Sequence, residues 1–464
     1  MGASDMLPLE VMMNKSLSLE SLTLVHPNAA GLDIGSREIW AAVRPDLDGK
    51  TVRCFATFTP DLEALADWLL AGGVDTVALE STSVYWIPIF ELLEARGIQC
   101  YLVNARHVKH VPGRKSDVQD CQWLQKLHSL GLLSASFRPD AEMRALRTLL
   151  RHRAQLVQHR APHILHMQKA LQQMNLQLHH VLSDVTGQTG LLILRAIVAG
   201  ERDPLVLAHL RHPSCKSSEE TIVKALIGSW QEEQLFVLRQ SLELYDFYTA
   251  QIEVCNAEIE QQYAAIPPRW DAPDDLPTLP SVKPGSKSKN KPADATRQEL
   301  FRITDVDLVA VEGISASLAQ TIISEIGTDM SRFPTAKHFC SWLGLAPHND
   351  ISGGKVLRSR TLKTDNRAGQ AFRQAAAAVT RSDSAFGAFY RRKRAQIGPM
   401  QALVATAHKI ARTVYYMLKH RVAYHDIGAQ GYETQQREQE LTYLQRKAAK
   451  LGFELTPKQA AVPS

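Results

Sequence analysis

Two aspartates three residues apart are the first chemical signal in this chain. In Lys115-Ser-Asp-Val-Gln-Asp-Cys-Gln-Trp123, Asp117 and Asp120 sit at i and i+3 of a segment that reads as helix. Side chains at that spacing share a helix face, so both carboxylates can point at one spot. Convergent carboxylates repel unless something positive lies between them, and hard cations such as Mg²⁺ take oxygen ligands of this kind. Two more acids fall where strands read: Asp33 on the first and Glu80 at the end of the fourth. Each alone has a plainer meaning. Glu80 can cap a helix, and an Asp pair is more often a solvated helix face. Asp33-Ile-Gly also opens the phosphate hairpin of some ATPases, but the second Asp-x-Gly hairpin and the glycine-rich loop they need are missing.

The elements that must position these acids follow from periodicity. Residues 29–43 read as a strand, a tight turn at Gly35 and a second strand, and 51–59 as a third. Leu62, Leu65, Leu69 and Leu70 keep helical spacing, and Gly72-Gly73 ends that helix. Residues 74–79 read as a buried strand running into Glu80, 85–96 as a helix, 98–103 as a strand, and the Asp117/Asp120 helix follows. Three strands in meander, then alternating helices and strands, is the plan of an RNase H-like α/β fold. In that fold Asp33, Glu80, Asp117 and Asp120 meet at one end of the sheet. Such a tetrad can hold one or two Mg²⁺ ions, or Mn²⁺, for phosphodiester chemistry.

Bulk composition fits. The 464 residues suit two to four domains, and 45% hydrophobic with 22% charged residues is ordinary globular composition. A net charge of +5 permits nucleic-acid binding without requiring it. Six scattered cysteines without a CxxC pair suit reduced thiols and a cytoplasmic protein, with neither a zinc site nor a disulfide framework. No signal-peptide core and no bilayer-length apolar run is present.

Several motifs together resemble a known family. Glu80-Ser-Thr-Ser-Val-Tyr-Trp86, Asn104-Ala-Arg-His107, Pro112-Gly-Arg-Lys-Ser-Asp117-Val-Gln-Asp120 and Gly131-Leu-Leu look like the DEDD transposases of the insertion-sequence-110 family. Members of that family are bridge-RNA-guided recombinases. The resemblance implies that Asp33, Glu80, Asp117 and Asp120 are the metal ligands of a RuvC-like domain. Ser83 stands where members often carry glycine, and Cys121 where they often carry alanine.

Downstream, residues 141–178 read as helix-rich, with Pro162 expected to kink or interrupt the helix. Arg144, Arg147 and Arg151 line one face, a stripe that can track a phosphate backbone or simply be solvated. A second long helix, to about residue 264, completes a coiled-coil arm suited to self-association or to gripping an RNA. Residues 308–327 look like a helix-hairpin-helix in which Gly313 opens a phosphate-binding turn. Phe339-Cys-Ser-Trp-Leu-Gly-Leu-Ala-Pro347 and Ser352-Gly-Gly-Lys355 resemble the family's C-terminal transposase domain. By that resemblance Ser352 is the nucleophile, meeting carboxylates of another subunit. Lys355, Arg358 and Arg360 can neutralise phosphorane charge. Arg391 and Arg392 belong to a basic run assigned to nucleic-acid backbone.

The expected organisation is an N-terminal arm (1–28), a RuvC-like metal domain (29–140), a helical coiled-coil arm with an insert (141–265), a linker (266–299), a helical C-terminal transposase domain (300–424) and a helical tail (425–464). The expected function is site-specific DNA recombination for an insertion sequence. Its partners are donor and target DNA, an element-encoded guide RNA and further copies of the chain as a dimer or tetramer. The expected setting is the bacterial cytoplasm, at the nucleoid when acting, with no membrane. The alternatives are a metal-dependent, Holliday-junction-resolvase-like nuclease and a non-catalytic nucleic-acid-binding assembly protein.

Overall fold

The computed structural model describes residues 23–81, 83–104, 116–268, 270–271, 278–280, 290, 292, 295–361 and 366–456. Most of the expected N-terminal arm and linker lies outside these residues, as do the motif residues 105–115. The chain divides into two compact units, Met1–Arg138 and Pro139–Ser464.

The first unit is built on a five-stranded sheet of order β3-β2-β1-β4-β5. β1 (Ala29–Ile34), β2 (Glu38–Ala42) and β3 (Val52–Ala56) form an antiparallel meander. β4 (Thr76–Glu80) and β5 (Gln99–Val103) add in parallel to β1. α1 (Thr59–Ala71) and α2 (Trp86–Ala95) are the crossovers. This is an RNase H-like mixed sheet, as the element order predicts.

The strand period of two sorts the residues by face. Leu32, Ile34, Ile39, Ala41, Val77 and Leu79 face α1 and α2 and share a core with Leu65, Leu69, Ile89 and Leu93. The alternate residues face α3 (Asp117–Ser129), where Ala78 and Val103 pack with Leu124 and Leu133. Gly31 lies at the centre of that second face, between Ala42 on β2 and Ala78 on β4. A Cβ at Gly31 would collide with the backbone of Gln125 and Cys121. The helix therefore rests its main chain directly on the strand, an approach open only to glycine.

α3 runs antiparallel to β1. Gln125 Nε2 donates to the Ala29 carbonyl at 3.4 Å. The Ser129 carbonyl accepts from the Val25 and His26 N–H groups at 2.8 and 3.0 Å. Near the helix end His128 is fully buried. Its ring lies 4.8 Å from that of His26 and 4.6 Å from that of Tyr101. Thr76 Oγ1 donates to the Gln99 carbonyl, so it accepts from His128 Nε2 at 2.9 Å. That tautomer leaves Nδ1 bare, and among the described residues it has no partner. Burial, helped by His26, lowers the His128 pKa to about 4.

In the second unit α4 (Ala141–Gln173) passes through Pro162 without interruption, so the proline does not end the helix. Between α4 and α6 (Glu232–Ala265) lie α5 (Gln188–Val198) and three short helices. Met167, Leu171, Ile193, Leu207, Ile222 and Leu238 form one core through all of them. Long side-by-side packing against α6 outweighs the one backbone hydrogen bond that proline deletes. Beyond residue 295 come α7 (Thr296–Thr304), a single 3₁₀ turn at Leu308–Ala310 and α8 (Ala316–Ile326). The helix expected from Leu308 is thus only that turn, because Asp307 caps it and Gly313 turns the chain at φ +91°. β6 (Pro347–Ser352) and β7 (Lys355–Thr361) form a hairpin within an otherwise helical region. α9 (Arg367–Ala378), α10 (Ala385–Ile397), α11 (Pro399–His420) and α12 (Gly428–Lys450) complete the unit. Among the described residues no helix is long and apolar enough to cross a membrane.

Two predictions follow from α3. Gly31→Ala should cost about 1–3 kcal/mol by overpacking, read as a fall in the denaturant midpoint. An unchanged midpoint would mean that α3 can lift away freely. His128 should make stability pH-dependent. The unfolded chain binds its proton near 6.5 and the folded chain only near 4. Stability is therefore complete above the first value and falls by about 3 kcal/mol as pH drops to the second. His128→Gln should flatten the curve by about one proton over that window, measured by urea unfolding at stepped pH.

Candidate functional site

The acidic residues gather where β1, β4 and α3 end together. Asp33 lies two residues beyond Gly31 on the face covered by α3, paired across β1–β2 with Trp40, which pairs with Cys54 on β3. Leu32 pairs with Leu79 in the parallel ladder, so the next residues, Asp33 and Glu80, end adjacent strands level with each other. Glu80 pairs with Val103, whose side chain packs on α3, so it shares the Asp33 face.

α3 begins at this same end. Ser116 caps it, its Oγ accepting from the Gln119 N–H at 3.3 Å. Asp117 and Asp120 occupy the first turn, where the helix dipole favours negative charge. From Cys121, beside Gly31, four residues of helix back to Asp117 cover about 6 Å. Two residues of strand from Gly31 to Asp33 cover about 6.7 Å. The first turn therefore arrives level with Asp33.

The neighbouring thiols register this acidic end. Burial pushes the Cys121 thiol up to about 12, with the charges of Asp33 and Asp120 adding to it. Burial raises Cys54 as well, aided by Glu38 and Asp117. Glu38 is a fifth carboxylate on this face, its Oε2 3.6 Å from Cys54 Sγ. The sequence reading missed it, although its position two residues before Trp40 puts it on the Asp33 face by parity. Ser83 has φ +51°, in the left-handed region that favours glycine. Trp86 Nε1 donates to its carbonyl at 3.1 Å.

The donor set suits a hard divalent ion, being carboxylate oxygen throughout. Among the described residues no three His, Cys, Asp or Glu side chains stand close enough together to hold one ion. Backbone placement thus brings four acids to one end and one face, and binding an ion there requires side-chain rotation, for which exposed Asp117 has room.

In the second unit Ser352 ends β6 at the hairpin tip, paired with Lys355 across Gly353 and Gly354. These glycines have φ of +55° and +75°, the two left-handed positions that a tight two-residue hairpin demands. Asp350 pairs with Arg358 and His348 with Arg360. Ser352, Lys355, Arg358 and Arg360 are all exposed.

Other sequence candidates have internal roles. Arg151 makes a two-pronged bond to Glu325 of α8, Nε to Oε1 at 2.9 Å and Nη2 to Oε2 at 2.8 Å. Arg147 lies 3.8 Å from the same carboxylate, which is 9% exposed. Arg144 donates to the Pro139 carbonyl at 3.1 Å. These contacts tie α4 to α8 and to its own start. Gly313 is glycine because a Cβ there would strike Ala375 and Val379 of α9. It is therefore a close-packing position between the turn and α9. Arg391 donates to the Ser382 carbonyl and Arg392 to the Tyr432 hydroxyl.

An RNase H-like sheet with acids at its strand ends suits metal-assisted phosphodiester chemistry. The DEDD transposase model of IS110 elements matches residues 30–176. The model described as "Transposase IS116/IS110/IS902 family" matches residues 307–391. Together they take in half of the chain, and it belongs to the IS110 family of transposases. No curated protein matches it. The first match contains Asp33, Glu80, Asp117 and Asp120; the second contains Ser352. A DEDD transposase domain implies use of a divalent metal.

If the four acids hold that metal, Mg²⁺ should raise the melting temperature of the wild-type chain by a few degrees. Ligand at about 100 times Kd adds about 2.7 kcal/mol. Asp33→Asn with Asp120→Asn should abolish the shift. An equal shift in the variant would remove these residues from the metal site.

Proposed function

We propose that this transposase is a site-specific recombinase of its insertion sequence that cuts DNA with Ser352 as nucleophile. Asp33, Glu80, Asp117 and Asp120 hold Mg²⁺ in this reading. What carries it is the arrival of all four acids at one end and one face of the sheet. A bound divalent ion supplies Lewis-acid stabilisation to phosphodiester oxygens.

Ser352 Oγ attacks the DNA phosphorus and gives up its proton. The P–O bond to one strand end breaks, and the departing oxygen takes up a proton to become a hydroxyl. The phosphoserine link keeps the phosphodiester energy, so a new strand hydroxyl can attack it and restore Ser352 without ATP. Exposure at a hairpin tip suits a side chain that must reach a DNA backbone. Glycines on its far side leave room for phosphate, and Lys355, Arg358 and Arg360 stand ready to balance negative charge.

Guidance by an element-encoded RNA is supported by the family resemblance. Self-association is supported by α6, whose outer face exposes Val237, Leu244, Phe247 and Val254. Their spacing, 237/244 and 247/254, is a heptad repeat suited to another helix. The setting is the bacterial cytoplasm, at the nucleoid during transposition.

The test is a denaturing gel for a covalent protein–DNA adduct, with the protein expressed beside its native flanking DNA. Wild type should give an adduct that Ser352→Ala abolishes and Asp33→Ala reduces by about a hundredfold or more. Cleavage without an adduct in either protein would sink the serine mechanism and favour metal-dependent hydrolysis.

A further inference from the structure

A groove of about 410 Å³ runs between α10 and α12 in the second unit. Arg391 and Arg392 line it from α10, and Tyr432, Glu433, Arg437 and Glu440 from α12. The α12 wall lies beyond residue 391, where the family match ends, so the match does not account for it.

The wall is anchored at one end. Tyr432 is buried against Ala385, Ala388 and Phe389. The Ala429 N–H donates to the Asp383 carbonyl at 2.8 Å. Asp426 accepts from the Ala385 and Gly428 N–H groups, each at 3.1 Å. Past Tyr432 the helix is exposed along almost its whole length, so its residues form a side of the groove rather than fill a core.

The groove collects cations that lack carboxylate partners among the described residues. Behind it, Lys409 of α11 lies over the rings of Phe389 at 4.6 Å and Tyr432 at 4.5 Å. Burial, and then the charges of Arg412 and Arg392, lower its pKa. Among the described residues none of Arg391, Arg392, Lys409, Arg412 or Arg437 has a carboxylate within 4.0 Å. Glu433 and Glu440 share the groove without pairing with its arginines. This differs from Arg147 and Arg151 of α4, which share the Glu325 carboxylate. Three arginines and two glutamates line the groove, and with Lys409 behind it they leave an excess positive field, which a polyanion relieves while releasing its own counterions.

We propose that the α10–α12 groove holds the phosphodiester backbone of a nucleic acid, with Arg391, Arg392 and Arg437 on its phosphates. The groove is open, so a strand can run along it, and the lysine behind it adds charge without blocking the path. The proposal rests on the reading that this chain handles nucleic acid, and adds a second place where it does so. Glu433 and Glu440 oppose the phosphates and weaken the grip.

The test uses the full chain and one labelled oligonucleotide sequence, made as single-stranded DNA, duplex DNA and RNA, titrated across salt. Arg392→Gln with Arg437→Gln should weaken binding on the order of tenfold at low salt and reduce the salt slope by about 2. The form of nucleic acid that loses affinity identifies the natural occupant. Glu433→Gln with Glu440→Gln should tighten binding by a few fold at low salt and not at high salt. Lys224→Gln with Arg239→Gln, exposed residues elsewhere in this unit, removes the same charge and should leave the slope unchanged. Equal losses in the groove and control variants would overturn the proposal, because net charge alone would explain them. Wild-type binding that the groove variant retains would overturn the groove and leave the transposase reading intact. Failure of the wild type to bind any of the three would overturn both. Thermal unfolding of each variant shows whether a loss comes from misfolding.

Discussion

The main chain of α3 lies directly against Gly31 of β1, and the acidic site depends on that contact. A single Cβ at residue 31 would meet the backbone at Gln125 and Cys121. Without that close approach the first turn of α3 would stand away from the sheet, and Asp117 and Asp120 would not be level with Asp33. The small residues beside Gly31, Ala42 and Ala78, extend the flat patch on which the helix rests. Packing thus substitutes for attraction among carboxylates, which on their own repel one another. His128 adds to the same seam at the other end of the helix, held neutral by burial and by His26 and bonded to Thr76.

The two faces of the sheet divide the labour. One is an apolar layer under α1 and α2, from Leu32 through Leu79. The other changes along its length from Thr76, Ala78 and Gly31 to Glu80 and Asp33. One strand therefore supplies packing at its start and chemistry at its end. Parity alone makes this possible, since every second residue returns to the same face. Glu38 follows the same rule on β2, which is why Cys54 feels both it and Asp117.

Charge in the second unit is sorted by whether a partner comes from elsewhere in the fold. Arg147 and Arg151 meet Glu325, and the result is a brace between α4 and α8. The arginines along α10 meet no such carboxylate and keep their field. The Ser352 hairpin lies wholly at the surface, and a two-stranded hairpin exposed on both sides is at most marginally stable alone. Its two glycines and the β6–β7 backbone ladder set its shape without a core beneath.

Much of the first unit is determined by local pattern. Strand alternation, the leucine spacing of α1 and the glycine stops specify element order, and the order specifies the RNase H-like plan, because periodicity is a property of neighbours in sequence. The same holds for the placement of Asp33 and Glu80 at strand ends, for Asp117 and Asp120 on one helix, and for the Ser352-Gly-Gly turn. Only the tertiary structure decided the rest. Glu325 lies 174 residues from Arg151, and no local pattern links them. Gly313 reads as a turn, yet its missing side chain answers to Ala375 of another helix. Pro162 should break a lone helix, but the packing along α6 carries the chain through it. In each case the deciding partner is distant in sequence and near in space, and only folding brings the two together.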